Sequence, residues 1–283
     1  MDTFFSKIKK YEIKEYDFSN VIIGEQIGGG GFGSVYKCEV LGKGRACKRL
    51  YFEMGDSKEL NEFLCNLLHE LILSTNLKSK RFTKVYGISY DKENYELYII
   101  MEILSDGDLK SYMKTKNMSL NKKLLIIRSL VLAVKEFHNQ NCIHTDLKPE
   151  NLTYYTDSNN KKYIKLLDYN LIARIKEGEE IIEGWDSTLG YSAPEQHDLK
   201  LCKKSDVYAI GVIALELILN KNLWDNNIED PKKLRKSMLI NLEKLKTENE
   251  EIYKIIKRCV SKTASRRYTC DELLLEMRGM VKS

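Results

Sequence analysis

The sequence predicts an α+β fold in two lobes: a small lobe built on an antiparallel sheet, then a larger helical one. Three observations carry that expectation. Residues 21 to 50 fall into short β-compatible runs broken by glycine turns, helical apolar spacing prevails from residue 120 onward, and the character changes across Ser105-Asp106-Gly107-Asp108-Leu109. The expected organisation is an N-terminal extension over 1–16, a small lobe over 17–103 and a large lobe over 104–283.

Taken in order, the extension carries Phe4, Phe5 and Ile8, which suit an extra helix packed on the small lobe. The runs VIIGEQI, SVYKCEV and RACKRL make an antiparallel meander from Val21 to about Leu50. Between Lys58 and Leu77, the residues Leu60, Phe63, Leu64, Leu67, Leu68, Leu71 and Ile72 recur at three- and four-residue spacing and predict an amphipathic helix. Strand-like runs follow at 84–90 and 96–103. Beyond the boundary, periodic segments predict helices over 120–139, 205–219, 233–245, 250–260 and 269–280, with short strands at 152–155 and 163–167.

At 283 residues and 43% hydrophobic content, the chain can fill a sizeable core. Its net charge of +5 is spread over short lysine groups with no aromatic platform among them, so no nucleic-acid partner is expected. Seven cysteines form no CxxC pair and cannot all pair with one another, which suits reduced thiols and argues against a secreted disulfide scaffold. No signal-peptide core opens the sequence, and position 2 is Asp2 where myristoylation needs glycine. The longest apolar run, Val207 to Leu219, is too short for a bilayer and contains Glu216, so no membrane partner is expected either. Cytoplasmic residence is the expectation, with the nucleus also open to such a chain.

Residues 27–36, IGGGGFGSVY, contain GxGxxG at Gly28, Gly30 and Gly33. A dinucleotide-binding turn would lead into a helix, whereas Ser34 to Val40 alternates like a strand; a Walker loop would end in Gly-Lys-Ser/Thr, and no lysine follows Gly33. Two readings stay open from the residues alone: a hairpin whose N–H groups fold over phosphates, or a merely mobile turn. Lys48 follows on a strand with apolar neighbours. A strand lysine usually reaches for solvent. It gains interest if a carboxylate meets it, and of Glu62 and Glu70 in the next helix, Glu70 sits at the edge of the apolar stripe and can face the sheet. LLDYN, at 166–170, ends an apolar run at Asp168, a residue that alone reads as a turn former or as a metal ligand.

Beside these stand IHTDLKPENL at 143–152, TLGYSAPE at 188–195, SDVYAIG at 205–211 and Arg267. In order and spacing the set resembles the eukaryotic protein kinase family over roughly residues 17–280. The resemblance implies a bilobal protein kinase-like fold and an ATP-dependent serine/threonine protein kinase with Mg²⁺ as its metal. It implies that Lys48, oriented by Glu70, holds the α- and β-phosphates, that Asp146 accepts or orients the substrate hydroxyl proton, that Lys148 steadies the γ-phosphate, and that Asn151 and Asp168 hold Mg²⁺. Ile27, Gly28, Gly30, Gly33, Val35 and Ala46 would surround the nucleotide, with Met101 as gatekeeper. Glu102 and Leu104 would offer main-chain bonds to adenine, and Asp108 would meet the ribose. Glu195 would pair with Arg267, Asp206 would brace the catalytic loop, and His138 and His144 would pack rather than do chemistry. Lys148 and Thr188 look like the serine/threonine branch, which implies a protein substrate with a Ser or Thr acceptor. Asp108 and Glu150 occupy positions that in some members attract basic residues upstream of that acceptor. The run TLGYSAPEQ is also similar to stress kinases that phosphorylate a translation initiation factor.

Three departures from the family pattern bear on function. The usual Asp-Phe-Gly is Asp168-Tyr169-Asn170; asparagine tolerates positive φ next best to glycine, so a stiffer hinge is expected rather than loss of metal. Thr145 replaces the arginine that commonly precedes the catalytic aspartate and receives an activation-segment phosphate, and Glu179, Glu180, Glu183 and Asp186 would repel one. Activity without phosphorylation of that segment, Ser187 included, is therefore expected. Ser74, one turn after Glu70, stands where a bulky apolar residue is expected. A pseudokinase acting as a nucleotide-binding scaffold and a small-molecule kinase of the same fold are the alternative readings.

Overall fold

The computed structural model describes residues 2–30, 33–51, 57–76, 79–115, 117–167, 173–175, 182–183, 188–224 and 230–281. Those up to Ser105 form one compact unit and those from Asp106 onward form another.

The first unit holds helix α1 (Asp2–Lys10), strands β1 (Glu15–Tyr16), β2 (Val21–Gly30), β3 (Gly33–Val40) and β4 (Lys43–Leu50), helix α2 (Ser57–Asn76), and strands β5 (Val85–Asp91) and β6 (Glu96–Met101). The six strands form one sheet in the order β1-β5-β6-β4-β3-β2. All pairs are antiparallel except β1 with β5, a two-residue parallel pair that the alternation pattern does not foretell. Because successive residues of a strand face opposite sides, the sheet has two distinct faces. Leu50, Ile88, Leu97 and Ile99 pack with Leu64, Leu67, Leu68 and Leu71 of α2 and with Phe4 and Ile8 of α1. Val21, Cys38, Val40, Cys47, Tyr98 and Ile100 form a separate cluster on the other face. The stripe expected for α2 is the one that packs, with Leu60, Phe63 and Ile72 at its margins.

The second unit is mainly helical. It holds α3 (Leu109–Thr115), α4 (Leu120–His138), β7 (Cys142–Ile143), β8 (Leu152–Thr156), β9 (Lys162–Leu166), β10 (Ala173–Arg174), β11 (Ile182–Glu183), β12 (Lys200–Leu201), α5 (Lys203–Leu219), α6 (Pro231–Glu248), α7 (Glu250–Cys259) and α8 (Cys270–Glu276). Strand β8 pairs with β9, β7 with β10 and β11 with β12. The helix starts follow capping chemistry: Ser119 caps α4, Asp230 followed by Pro231 opens α6, Asn249 caps α7, and Thr269 with Glu272 forms a capping box on α8. Helix α5 is apolar all round and buried along nearly its whole length, Asp206 and Glu216 included, which makes it the axis of this unit. Among the described residues no helix is long and apolar enough to cross a membrane.

Candidate functional site

In the first unit, register alone gathers several of the expected nucleotide residues. Lys48 lies opposite Val35 on one side and Ile99 on the other, and Ala46 lies opposite Met101. Directly paired residues share a face, so Val35, Ala46, Lys48 and Met101 all lie on the face where Leu50 and Ile99 meet α2. Lys48 is buried, at 7% exposure, which is unusual for a lysine and means that it does not simply reach for solvent. Glu70 lies on α2 next to the fully buried Leu71, while its side chain is outside what the structure describes. Ile27 is exposed on β2; Gly28 pairs with Val35, and Gly30 with Gly33. Gly33 has a reason for its identity within the sheet: at φ +150°, a Cβ there would stand 2.1 Å from the carbonyl oxygen of Arg49. Glu102 donates its N–H to Lys84 O (2.9 Å) and accepts Lys84 N–H on its carboxylate (2.6 Å), so that N–H is committed within the protein. Leu104 is half-buried just beyond it.

The second unit holds a tight polar knot around Asp146. Thr188 donates its hydroxyl to Asp146 Oδ1 at 2.5 Å, and Lys148 Nζ lies 2.8 Å from both Asp146 Oδ2 and Thr188 Oγ1. Asn151 Nδ2 donates to the main-chain oxygen of Asp146 (2.9 Å) and to its Oδ2 (3.0 Å). Burial alone would raise the Asp146 carboxyl, but the Lys148 ammonium and the Thr188 hydroxyl outweigh it and hold the group below its usual value of 3.8. The carboxylate is therefore ionised at neutral pH. Because both Asn151 contacts are to oxygens, its NH₂ must point at Asp146 and its carbonyl oxygen points elsewhere, the type of donor a hard divalent cation takes. Asp168, the other expected ligand, lies outside the described residues with Tyr169, Asn170, Glu179, Glu180, Asp186 and Ser187.

The loop bearing Asp146 is held from beneath. Asp206, buried on α5, accepts the main-chain N–H of His144 (3.0 Å) and of Thr145 (3.2 Å), and its Oδ2 is 2.8 Å from His138 Nε2. Gln196 Nε2 donates to Thr145 O at 3.1 Å, so Thr145 is pinned at both ends of its backbone. It sits at φ +67°, a left-handed conformation that a β-branched residue adopts only when its surroundings impose it. Further out, Arg267 is fully buried and makes a two-pronged contact with Glu195, at 2.6 and 2.7 Å. Burial opposes ionisation of Glu195, yet Arg267 keeps its carboxyl below the ordinary 4.5. Tyr191 donates to Glu216 (2.8 Å), whose other oxygen accepts Leu223 N–H (3.0 Å); burial pushes the Glu216 carboxyl up.

Two expected ligand contacts have partners inside the protein. Asp108 accepts the Ser111 N–H (2.7 Å) and hydroxyl (3.1 Å) at the start of α3, a capping role that the sequence reading passed over together with α3 itself. Glu150 pairs with Lys110 at 2.5 Å, and its second oxygen is buried with no hydrogen-bond partner among the described residues. Gln196 and the His138 contact to Asp206 were also missed. Both are long-range partnerships, and the only local signal is the position of Gln196 directly after Ala-Pro-Glu.

Residues 21–277 match the family model described as the protein kinase domain. The chain is 30% identical over 273 residues to the mouse interferon-induced, double-stranded RNA-activated protein kinase, an alignment covering 85% of this chain and 50% of the mouse protein. It is 31% identical over 207 residues to the serine/threonine-protein kinase PrkC of Bacillus subtilis, covering 70% of this chain and 30% of that one. A G-type lectin S-receptor-like serine/threonine-protein kinase of Arabidopsis thaliana is 32% identical over 216 residues, 72% of this chain and 25% of the plant protein. The chain thus spans half the length, or less, of these curated relatives.

Proposed function

Because this chain belongs to the protein kinase family, we propose that it transfers the γ-phosphate of ATP to serine or threonine hydroxyls of a protein substrate. The knot around Asp146 is the observation that carries this reading. Its carboxylate is ionised, oriented on one oxygen by Thr188 and on the other by Lys148 and Asn151, which suits it to align an acceptor hydroxyl and take its proton. Lys148, beside it, is placed to balance negative charge on a transferring phosphoryl group. Lys48 supplies the cation for the nucleotide phosphates, with Glu70 as its partner. Asn151 offers one oxygen to a divalent cation, proposed as Mg²⁺ with Asp168 as second ligand; bound there, the metal neutralises phosphate charge.

Activity without phosphorylation of the activation segment follows from Thr145. Its backbone is fixed by Asp206 and Gln196 with no help from a phosphate, and no guanidinium stands at that position to receive one. Of the two carboxylates expected to favour basic residues upstream of the acceptor, Glu150 is the better candidate, since both oxygens of Asp108 are taken by Ser111. All seven cysteines are free thiols, which fits cytoplasmic or nuclear residence.

The test is transfer from labelled ATP with Mg²⁺ to the protein itself and to a generic substrate, wild type against Asp146→Ala. Transfer to Ser or Thr that falls about 10²- to 10⁴-fold in the variant, with nucleotide binding retained, is expected. A folded, nucleotide-binding wild type that transfers nothing across several substrates makes the chain a pseudokinase.

A further inference from the structure

Residues 2–16 precede the stretch that matches the kinase family, 21–277, yet they are built into the first unit. Phe4 and Ile8, one turn apart on α1, are 4% and 0% exposed and share a core with α2. Phe5 packs edge-on against Phe4 with ring centres 5.4 Å apart and lies 5.5 Å from Tyr90 of β5. The helix ends with Glu12 at φ +57°, and Ile13 N–H returns to Ile8 O. The chain then joins the sheet: Lys14 O accepts Ile88 N–H (2.9 Å), Glu15 and Tyr16 pair with Ile88 and Ser89, and Ser89 Oγ donates to Tyr16 O (3.0 Å). Gly87 records how close this approach is, since at φ +151° a Cβ there would stand 2.0 Å from Lys14 O. A glycine inside β5 is therefore fitted to residue 14, not to the sheet alone.

Helix α2 needs this second surface. At about 100° per residue, its apolar positions from Phe63 round to Ile72 cover about 180° of circumference, wider than the roughly 100° stripe that one packed face requires. The sheet covers part of that width and α1 meets the helix as well. Ser74 falls inside the same stripe, and its hydroxyl donates to Leu71 O (3.0 Å) instead of offering an apolar contact. The C-terminal end of α2 thus lacks apolar grip at a buried position. We propose that residues 2–16 act as a built-in brace whose Phe4 and Ile8 are positioning residues: they fix α2, and through it Glu70, over the sheet face that carries Lys48. This rests on the proposed Lys48–Glu70 pairing.

The test uses the full chain with Phe4→Ala and Ile8→Ala together, and with Phe4→Leu and Ile8→Val as the conservative rescue. Expected are faster amide exchange across residues 57–76, at least a tenfold fall in kcat/KM for ATP, and recovery of most of it in the rescue variant. Val40→Ala, which thins the cluster on the opposite face of the sheet, is the control: it lowers the melting temperature but leaves kcat/KM within twofold. If the double variant does not fold, Phe4→Ala alone, with Phe4→Leu as its rescue, carries the same comparison at smaller scale. Unchanged exchange in α2, or kcat/KM falling equally in the Val40 control, overturns the brace. Should the wild type transfer no phosphate, the exchange result still decides whether α1 holds α2, so the two readings fail separately.

Discussion

Arg267→Met is the sharpest test of what holds the second unit together. The guanidinium donates twice to Glu195 and also to the carbonyl oxygens of Lys204 (3.0 Å), Ser261 (2.9 Å) and Lys262 (3.4 Å), all without exposure to solvent. Methionine keeps most of the stem and removes every donor. Glu195 is left largely buried with only neutral side-chain donors, Ser205 Oγ at 2.7 Å and the weak thiol donor Cys202 Sγ at 3.9 Å, both on Oε1. Breaking a buried pair on one side costs about 3–5 kcal/mol, because the surviving charge keeps its desolvation penalty. Adding Glu195→Gln removes that charge, so the double variant should recover about 1–3 kcal/mol of the loss. The pH dependence has a definite sign. In the wild type the Glu195 carboxyl is depressed, so its contribution is complete above 4.5 and fades as pH falls through the lower folded value. In Arg267→Met burial prevails and the folded value rises, so the deficit is largest at neutral pH and narrows on acidification. Urea unfolding at several pH values measures both. A deficit below about 1 kcal/mol, or one constant with pH, would refute the argument that this pair is an uncompensated charge once broken.

Three further outcomes follow from the geometry around the loop that bears Asp146. Thr188→Val removes the hydroxyl from Asp146 Oδ1, and with it one of the groups that lower that carboxyl; turnover should fall about 10- to 100-fold, and the acid limb of the pH–rate profile should move to higher pH. A limb that stays in place or moves down would remove Thr188 from the proton chemistry. Thr145→Asn relieves a β-branched side chain held at φ +67° and should stabilise the protein by about 1 kcal/mol in denaturant unfolding, whereas a loss of stability would show that the threonine side chain makes contacts worth more than the strain. Lys110→Ala frees Glu150 from its cation and should strengthen any preference for Arg or Lys upstream of the acceptor by up to about fivefold on a peptide array, the pair being one-third exposed on both sides; an unchanged array would rule Glu150 out as the reader.

What the sequence disclosed and what it hid divide along physical lines. The apolar stripe of α2 and the helices at α4 and α5 were legible because burial of one face leaves a periodic mark on the residues themselves. Strand β1 left none, since two residues are too few for alternation, and its trace is displaced to Gly87 on the partner strand. Helix α3 is seven residues long, and its strongest signal, Asp108 as a cap, was outweighed by a reading of the same residue as a ligand contact. At the site, Asp146, Lys148 and Asn151 lie within one decapeptide and were read together. Gln196 reaches the same loop through Thr145 from 51 residues away, and His138 joins it through Asp206, 68 residues further along the chain; no local pattern encodes either contact. The left-handed Thr145 was the least predictable feature, because intrinsic preference argues against it.

Those hidden contacts share a logic. Irregular backbone cannot satisfy its own N–H and C=O groups, so a loop taken into the interior needs partners from elsewhere. In the second unit the buried charges supply them: Asp206 takes the N–H groups of His144 and Thr145, Glu216 takes that of Leu223, and Arg267 donates to three carbonyl oxygens in two segments. Each charge is therefore tied to a segment without regular structure, and two of them hold a helix as well: Arg267 through the Lys204 carbonyl of α5, and Asp206 through His138 at the end of α4. Apolar residues of equal size in these places could match the stability of the charges, since buried ion pairs contribute little beyond hydrophobic packing. They could not hold Thr145 left-handed or keep Asp146 between Thr188 and Lys148. The charges are explained by the shape of the loops, and the loops by the atoms they present, so substitutions here should separate stability from activity: a variant is expected to melt near the wild-type temperature and still lose turnover once the loop that bears Asp146 has relaxed.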